Sequence, residues 1–237
     1  MPPESATVTT SFASRPFREV AGTLLRPGGT ELTDRALSCC GLNARSRLLD
    51  VGCGVGATVE HLRSRHGHDA AGIDISAELI AEGKRRNPGL PLSEGNADDL
   101  PVGDEELDGI FCECVLSLLD QPRHVLGEFR RTLRPDAFLV LSDLYLRGTA
   151  KETRLNGFPE GRLSPAAMTQ ETLETLLYES GFSLCLWEDH TRCLQELAAR
   201  LMLAHGSLDG FCGLPQSAGC SGERPGYYLA VARKKVW

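Results

Sequence analysis

The sequence predicts an α/β protein built on a doubly wound, mainly parallel sheet of seven strands. Between residues 47 and 141, short apolar segments alternate with amphipathic helical segments. The first apolar segment runs into a glycine-rich turn, and two more apolar segments lie in the last third of the chain. This alternation is typical of a sheet that is covered by helices on both faces.

Five strands are expected in the first part of the chain, at 48–51, 70–73, 90–93, 107–112 and 138–141. Helices are expected to follow several of them, after the glycine turn, at 76–86 and at 122–133. The last third predicts a helix at 169–180 closed by Gly181, a strand at 182–187, a helix at 192–205 and a strand at 227–232. Ahead of the first strand, Thr30 is a plausible N-cap of a helix that Gly41 ends.

Residues 1–42 are therefore expected to form an N-terminal arm and cap helix, and residues 43–237 the main domain. Insertions at about 144–168 and 190–225 are lid candidates. The segment 145–165 is expected to be a polar loop that closes, together with residues 1–29, over a site at the carboxyl ends of the strands.

Composition narrows the class of partner. The chain has 237 residues, of which 41% are hydrophobic, so a single large buried core is possible. Lys and Arg number 25 against 32 Asp and Glu, a net charge of −7, and no basic block is present. We therefore expect a cytoplasmic protein with a small-molecule partner, no nucleic acid and no membrane insertion. The oligomeric state stays open.

Nine cysteines occur at irregular spacing without a CxxC pair. A zinc ribbon or a disulfide scaffold is thus not indicated, and no metal site is predicted.

The stretch from Asp50 to Ala57 carries most of the functional information. Glycines at the end of a strand and the start of a helix let the backbone approach a ligand and leave helix N–H groups free to bind it. The pattern also satisfies the permissive dinucleotide motif, so the glycines alone leave the cofactor open. Asp50 at the strand tip would repel a pyrophosphate but could bind a cationic ligand.

The D-x-G-x-G-x-G run, followed by an acid after the second strand, resembles the signature of class I S-adenosylmethionine (SAM) dependent methyltransferases. The resemblance covers most of the chain. Within this family, the chain is similar to the small-molecule branch that includes quinone-biosynthesis and arsenite methyltransferases. It implies a Rossmann-like fold with a helical and loop cap, SAM as cofactor and S-adenosylhomocysteine as product. It further implies that Asp74, at an exposed strand end, accepts hydrogen bonds from the ribose hydroxyls.

The same resemblance places Asp98 at the adenine amino group, the Ala97 backbone against the ring, and Arg26 or Gly29 near the cofactor carboxylate. The implied cofactor contacts are Gly29, Asp50, Gly52, Cys53, Gly54, Gly56, Asp74, Ile75, Asn96, Ala97, Asp98, Glu113 and Cys114. Asp136 and Ala137 stand where the family has glycines in the turn before strand five, which weakens that turn.

No residue is singled out as the general base. Glu113, Asp143 and Tyr145 are the main candidates, with His190 and His205 as further ones. Cys112 and Cys114 are expected to share one strand face as core residues. The alternative is an arsenite or thiol-type methyltransferase that uses Cys114, because soft thiolates suit a soft centre.

Two other classes stay in view. A methyltransferase-like fold could bind SAM without catalysis. An NAD(P)-dependent reductase is the least favoured, because the Tyr-x-x-x-Lys pair of short-chain reductases is absent from the sequence.

Overall fold

The computed structural model describes residues 26–148, 168–206 and 224–236. Within them, seven strands form a single sheet: β1 (Arg47–Val51), β2 (Asp69–Asp74), β3 (Leu92–Glu94), β4 (Leu107–Glu113), β5 (Leu133–Arg147), β6 (Phe182–Asp189) and β7 (Arg224–Lys234). Their order across the sheet is β3-β2-β1-β4-β5-β7-β6. β1 to β5 are parallel, while β7 lies antiparallel between β5 and β6. The predicted fold class is confirmed.

The described helices are α1 (Gly29–Cys40), α2 (Ala57–His66), α3 (Ala77–Arg86), α4 (Pro122–Thr132), α5 (Gln170–Glu179) and α6 (Thr191–His205), with a 3₁₀ turn at Leu116–Leu118. The sequence explains their ends: Pro122 starts α4, Thr169 caps α5 through its side chain, and Gly41 ends α1 in the left-handed conformation. No helix in the described ranges has the length and apolar character that a bilayer span requires.

The sheet is buried on both faces, which explains why its central strands read as continuous apolar runs. One large core cluster contains Leu49, Ile110 and Phe129, and a second contains Leu48, Val59 and Phe111. Burial of each such side chain stabilises the fold by about 1.5–3 kcal/mol. The core therefore fixes β1, β2, β4 and β5 so that their carboxyl ends meet at one edge.

Several element boundaries differ from the prediction. α1 begins at Gly29, with Gly28 as its N-cap in the left-handed conformation, so Thr30 lies inside the helix. The expected loop from residue 145 begins later, because Tyr145 to Arg147 continue β5 and pair with β7. The remainder of that loop from residue 149, the arm at 1–25 and the segment 207–223 lie outside the described residues.

The turn before the long part of β5 forms without the family's glycines. Asp136 adopts a φ of 63°, a left-handed conformation that asparagine and aspartate tolerate better than other non-glycine residues. Arg233 donates a 3.0 Å hydrogen bond from Nε to the Asp136 carbonyl. Aspartate at this position therefore accommodates the backbone conformation for which the family uses glycine.

Candidate functional site

The turn between β1 and α2 depends on glycine. Gly52, Gly54 and Gly56 have φ values of 75°, 54° and 81°. A Cβ atom on Gly52 would lie 2.2 Å from the Val115 side chain, and one on Gly56 would lie 2.8 Å from Leu92. The Gly52 and Cys53 N–H groups both donate to the Ile73 carbonyl. The sequence between Asp50 and Ala57 thus folds into a tight turn across the ends of β1 and β2.

Asp74, at the end of β2, holds this turn. Its Oδ2 accepts a 2.8 Å hydrogen bond from the Gly54 N–H, and its Oδ1 accepts one of 2.8 Å from the Ser76 N–H. The residue is only 8% exposed, so the expected exposed strand end is wrong. Each carboxylate oxygen has two acceptor sites, so Asp74 retains capacity for two further donors.

A buried ion pair joins the N-terminal segment to the tip of β4. Arg26 Nη2 lies 2.9 Å from Glu113 Oε2, and the two side chains are 4% and 3% exposed. Thr58 of α2 donates to the same Oε2 at 2.9 Å, and Thr33 of α1 donates to Oε1 at 3.4 Å. We call Arg26, Thr33, Thr58 and Glu113 the arginine cluster. It connects the N-terminal segment, α1, α2 and β4.

The arginine cluster leaves one group without a partner. Among the described residues, Nη1 of Arg26 is the one buried side-chain nitrogen or oxygen that makes no hydrogen bond. Burial is the largest influence on the pKa of Arg26 and lowers it, but Glu113, Tyr227, Cys114 and Asp50 together outweigh burial and leave the pKa above its ordinary value. An unpaired buried donor on a charged group is costly, so this nitrogen is expected to meet an acceptor from a ligand.

Asp50 supplies a second charge next to the arginine cluster. Its carboxyl is 3% exposed, and burial raises its pKa well above the usual range, with the Glu113 and Asp74 carboxylates adding to the rise. Arg26 acts in the opposite direction and lowers it. A ligand that brings an ammonium or another cation near Asp50 would therefore favour its ionised form.

The other predicted cofactor contacts, Ile75, Asn96, Ala97 and Asp98, follow Asp74 in the chain. Ile75 is a large apolar side chain that is 64% exposed, and Ala97 is 8% exposed. The Asn96 side chain accepts a 3.2 Å hydrogen bond from the Asp98 N–H, so it shapes the turn from within. The Asp98 side chain itself is exposed.

The end of β4 departs from strand geometry. Cys114 has a φ of 58°, so the alternation of side chains stops after Glu113. Cys112 and Cys114 consequently pack into different core clusters, and the expectation that they share one face is wrong. Cys114 Sγ lies 3.1 Å from the Tyr227 hydroxyl, and burial raises the pKa of this thiol. Cys53 is likewise a buried thiol, packed beside Gly72.

Asp143 is fixed by three donors. Ser117 N–H lies 2.8 Å from Oδ2, while the Ser117 hydroxyl and the Leu144 N–H each donate to Oδ1 at 2.7 Å. Burial raises its pKa to about 6 in spite of these bonds. A small cavity next to Asp143 is also lined by Met168 and Tyr228.

The other base candidates lie in different surroundings. The Tyr145 hydroxyl donates to Asp189 at 3.2 Å, and its ring packs edge-on against Trp187. His190 lies 3.0 Å from Glu188 at the start of α6, and His205 lies at the exposed end of the same helix. Glu113 ends β4, and Asp143 follows its register partner Ser142 on β5, whereas these three residues bond to β6 or lie on or next to α6.

Sequence reasoning missed the polar residues that support the site. Thr33, Thr58, Ser117 and Tyr227 were not singled out as site residues, because hydroxyl side chains occur throughout the sequence. The one available signal is positional: Thr58 follows the last glycine of the turn by two residues, inside the first turn of α2.

Comparison with known proteins agrees with this geometry. The model of the family described as "Methyltransferase domain" matches residues 49–141. An O-methyltransferase of Aspergillus nomiae is 30% identical over 150 residues, which are 60% of this chain and 67% of that protein. A demethylmenaquinone methyltransferase of Renibacterium salmoninarum is 29% identical over 129 residues, 54% of each chain. The chain thus spans between about half and two thirds of the length of these relatives.

Among solved structures, the cyclase SpnF covers 100% of this chain and 97% of its own, with a TM-score of 0.76 and 22% identity, which shows the shared fold. The glycine turn, the acid after β2 and these matches define an α/β protein of the methyltransferase type. The chain belongs to the class I SAM-dependent methyltransferase family, and S-adenosylmethionine is the cofactor of this family.

Proposed function

We propose that the protein transfers the methyl group of SAM to a small-molecule acceptor. The observation that carries the proposal is the unpartnered Nη1 of Arg26, buried beside Asp50 at the glycine turn. The methionine half of SAM carries a carboxylate and an ammonium. A buried guanidinium nitrogen without an acceptor and a buried carboxyl that ionises beside a cation are complementary to that pair of charges.

The remaining residues fit the nucleoside half. Asp74 has acceptor sites left for the ribose hydroxyls, and the exposed apolar surface of Ile75 suits the face of a purine. The glycine turn bonds Asp74 through the Gly54 N–H and leads into α2, whose Thr58 belongs to the arginine cluster. When bound, SAM supplies an activated methyl group on a sulfonium. The protein then has to bind the cofactor and the acceptor, orient them for transfer and exclude water.

Glu113 and Asp143 are assigned positioning roles in this proposal. The Glu113 carboxylate already accepts from Arg26, Thr33 and Thr58, so it fixes the guanidinium. Asp143 accepts from Ser117 and Leu144, so it orders the 3₁₀ turn that follows β4. A proton acceptor is required only for an acceptor molecule that must lose a proton.

The acceptor is expected in the groove between α4 and α5. This groove has a volume of about 600 Å³ and is lined by Asp120, Arg123, His124, Met168, Thr175 and Leu176, among others. Met168 also lines the cavity at Asp143, so the groove and that cavity are adjacent. A volume of this size suits a metabolite. The similar proteins named above methylate oxygen or demethylmenaquinone by their names, which supports a small acceptor.

A test combines binding and turnover. Titration calorimetry should give saturable binding of SAM and S-adenosylhomocysteine and none of NADPH. Transfer of labelled methyl from SAM to a panel of phenols, quinols, amines and thiols should then identify the acceptor. Thr175→Trp should raise the KM for that acceptor without changing the dissociation constant of S-adenosylhomocysteine, while Thr175→Ala should change neither. Absence of SAM binding would refute the proposal.

A second candidate is a SAM-binding protein that performs other chemistry. The observation in its favour is the full-length similarity to SpnF, which is a cyclase by name. That similarity shows the fold alone. Both candidate functions would use the same SAM site. SAM binding without methyl transfer to any member of the panel would favour this second candidate.

The use of Cys114 as a metalloid ligand is not supported by its surroundings. A soft metal or metalloid binds the thiolate, and burial raises the pKa of the Cys114 thiol. Cys112 packs into a different cluster and does not provide a second thiol beside it.

A further inference from the structure

A cluster of two imidazoles and one carboxylate lies between α1 and α2. Asp34 Oδ1 is 2.6 Å from His61 Nε2 and 2.7 Å from His66 Nε2. The three ligand atoms all lie within 4.8 Å of one another. We call Asp34, His61 and His66 the histidine cluster, and we propose that it binds a divalent transition metal ion such as Zn²⁺.

The chemistry of the donors selects the class of metal. Imidazole nitrogen suits Zn²⁺ and its neighbours in the first transition row, whereas Mg²⁺ and Ca²⁺ prefer a shell of oxygen ligands. Two imidazoles and one carboxylate are a three-ligand set that leaves a fourth position for water. Sequence spacing did not reveal it, because the histidines are five residues apart and Asp34 lies on another helix.

The geometry is close to what a metal needs. In the present arrangement both Nε2 atoms contact the same carboxylate oxygen, which requires an N–H on each ring. In neutral histidine the proton can move to Nδ1, which frees both Nε2 lone pairs for an ion. Zn²⁺ has bonds of about 2.0–2.1 Å to nitrogen and oxygen, so its ligands lie roughly 3.4 Å apart. The histidine–carboxylate distances must therefore widen by under 1 Å.

The surroundings permit that adjustment. The Asp34 side chain is 46% exposed and can rotate, while the His61 side chain is only 17% exposed and the His66 side chain 30%. His61 and His66 pack edge-on, with ring centroids 5.1 Å apart. His66 also stacks on His68, whose Nδ1 bonds the Asn43 carbonyl. Two ligands are thus held in place by packing, and the third is the adjustable one.

A metal in the histidine cluster would join the two helices that support the arginine cluster. Asp34 follows Thr33 directly on α1, and His61 lies three residues after Thr58 on α2. Binding to the folded state alone raises stability by mass action. The site does not depend on the methyl-transfer proposal, because it uses none of the same side chains.

The experiment is thermal unfolding of the full chain after treatment with a chelator, with and without added ZnCl₂. We expect Zn²⁺ to raise the melting temperature of the wild type, and we expect His61→Ala and His66→Ala to abolish the rise. His205→Ala, an exposed histidine on α6, should retain it. All variants keep the nine cysteines, so zinc bound to thiols contributes equally to each. No rise in the wild type, or an equal rise in His61→Ala, would overturn the proposal.

Spectroscopy provides a readout that does not depend on the stability of the variants. Co²⁺ in a four-coordinate site with nitrogen and oxygen ligands gives visible absorption bands, and thiolate ligands add charge-transfer absorption in the near ultraviolet. We expect the visible bands without the thiolate signal in the wild type, and loss of the bands in Asp34→Asn. A spectrum dominated by thiolate charge transfer would assign the metal to cysteines and refute the histidine cluster.

Discussion

The guanidinium of Arg26 lies 2.9 Å from the carboxylate of Glu113, and both side chains are almost completely buried. This contact connects a residue ahead of the first described helix to the tip of β4. It occupies one side of the guanidinium and leaves Nη1 without a partner. Removal of either member of such a pair is costly, because the other is left as an uncompensated buried charge.

The first prediction tests whether Arg26 binds the amino acid portion of the cofactor. Arg26→Lys keeps the charge but cannot pair with Glu113 and a ligand carboxylate through one rigid fork. We expect S-adenosylhomocysteine to bind at least tenfold more weakly, a cost of about 1.4 kcal/mol. Binding of 5′-methylthioadenosine, which lacks the amino acid portion, should change little. Both dissociation constants are measured by calorimetry.

The control for this variant is Arg35→Lys. Arg35 lies on α1 and forms a partly exposed ion pair with Glu188. Arg35→Lys should leave the dissociation constants of both ligands unchanged. Equal weakening of the two ligands by Arg26→Lys would show that the arginine cluster supports the fold and does not contact the cofactor.

The second prediction concerns Asp74. Asp74→Asn retains the shape of the side chain but leaves one oxygen to serve the Gly54 and Ser76 N–H groups and the ribose. We expect binding of S-adenosylhomocysteine and of 5′-methylthioadenosine to weaken together, by about 1.5–3 kcal/mol. Asp69→Asn, at the exposed start of the same strand, is the matched control. Unchanged affinity in Asp74→Asn would remove this residue from the site.

Asp74 and Arg26 differ in how much of their role could be predicted from the sequence. Asp74 was predictable, because an acid after the second strand of such a sheet always lies at the edge where ligands bind. Its burial and its bond to Gly54 were not, since they depend on how tightly the glycine turn closes. The partners of Arg26 could not be predicted, because Thr33, Thr58 and Glu113 lie on two helices and a strand that come together only in the folded chain.

Element boundaries show the same division. The strands and helices between β1 and β5 follow from apolar periodicity, and their order was confirmed. The extension of β5 through Tyr145 to Arg147 was missed because it depends on pairing with β7, about 80 residues later in the chain. The helical start at Gly29 was missed because the left-handed Gly28 replaces a side-chain cap.

The third prediction separates two effects of a glycine. Gly52 and Gly41 both have positive φ, at 75° and 58°, but a Cβ on Gly41 would meet no atom within 4 Å. Because alanine adopts a positive φ less readily than glycine, its introduction at either position should lower the free energy of unfolding by about 1 kcal/mol. Gly52→Ala should cost a further 1–3 kcal/mol, roughly, because its Cβ would overlap Val115. Urea unfolding measures both, and equal losses would contradict the steric argument.

The fourth prediction addresses the thiol at the end of β4. Cys114→Ser should retain SAM binding and methyl transfer, because a hydroxyl can still bond Tyr227 and the thiol is not ionised. Iodoacetamide at pH 8 should modify the exposed Cys185 well before Cys114, as followed by mass spectrometry. Loss of methyl transfer in Cys114→Ser with intact SAM binding would instead support a thiol-dependent reaction.

The last prediction uses the raised pKa of Asp143. Burial raises this pKa to about 6 from an ordinary value near 4, so the folded state holds the proton more tightly than the unfolded state. The free energy of unfolding should therefore fall as the pH rises from about 4 to 6, by roughly 2–3 kcal/mol from this group. Asp143→Asn cannot ionise and lacks this dependence.

The measurement is urea unfolding of the wild type and Asp143→Asn at pH 4, 5, 6 and 7. The variant loses an acceptor for Ser117 or Leu144 at every pH, which is a constant cost. The wild type should exceed the variant by most at pH 4, and the difference should shrink toward pH 6. Other carboxyls, including Asp50, are common to both proteins and cancel in this difference to first order. In Ser117→Ala, the carboxylate loses one donor, so the pH range over which the stability falls should move to higher pH. A difference that stays constant from pH 4 to 7 would mean that Asp143 has an ordinary pKa in the folded protein.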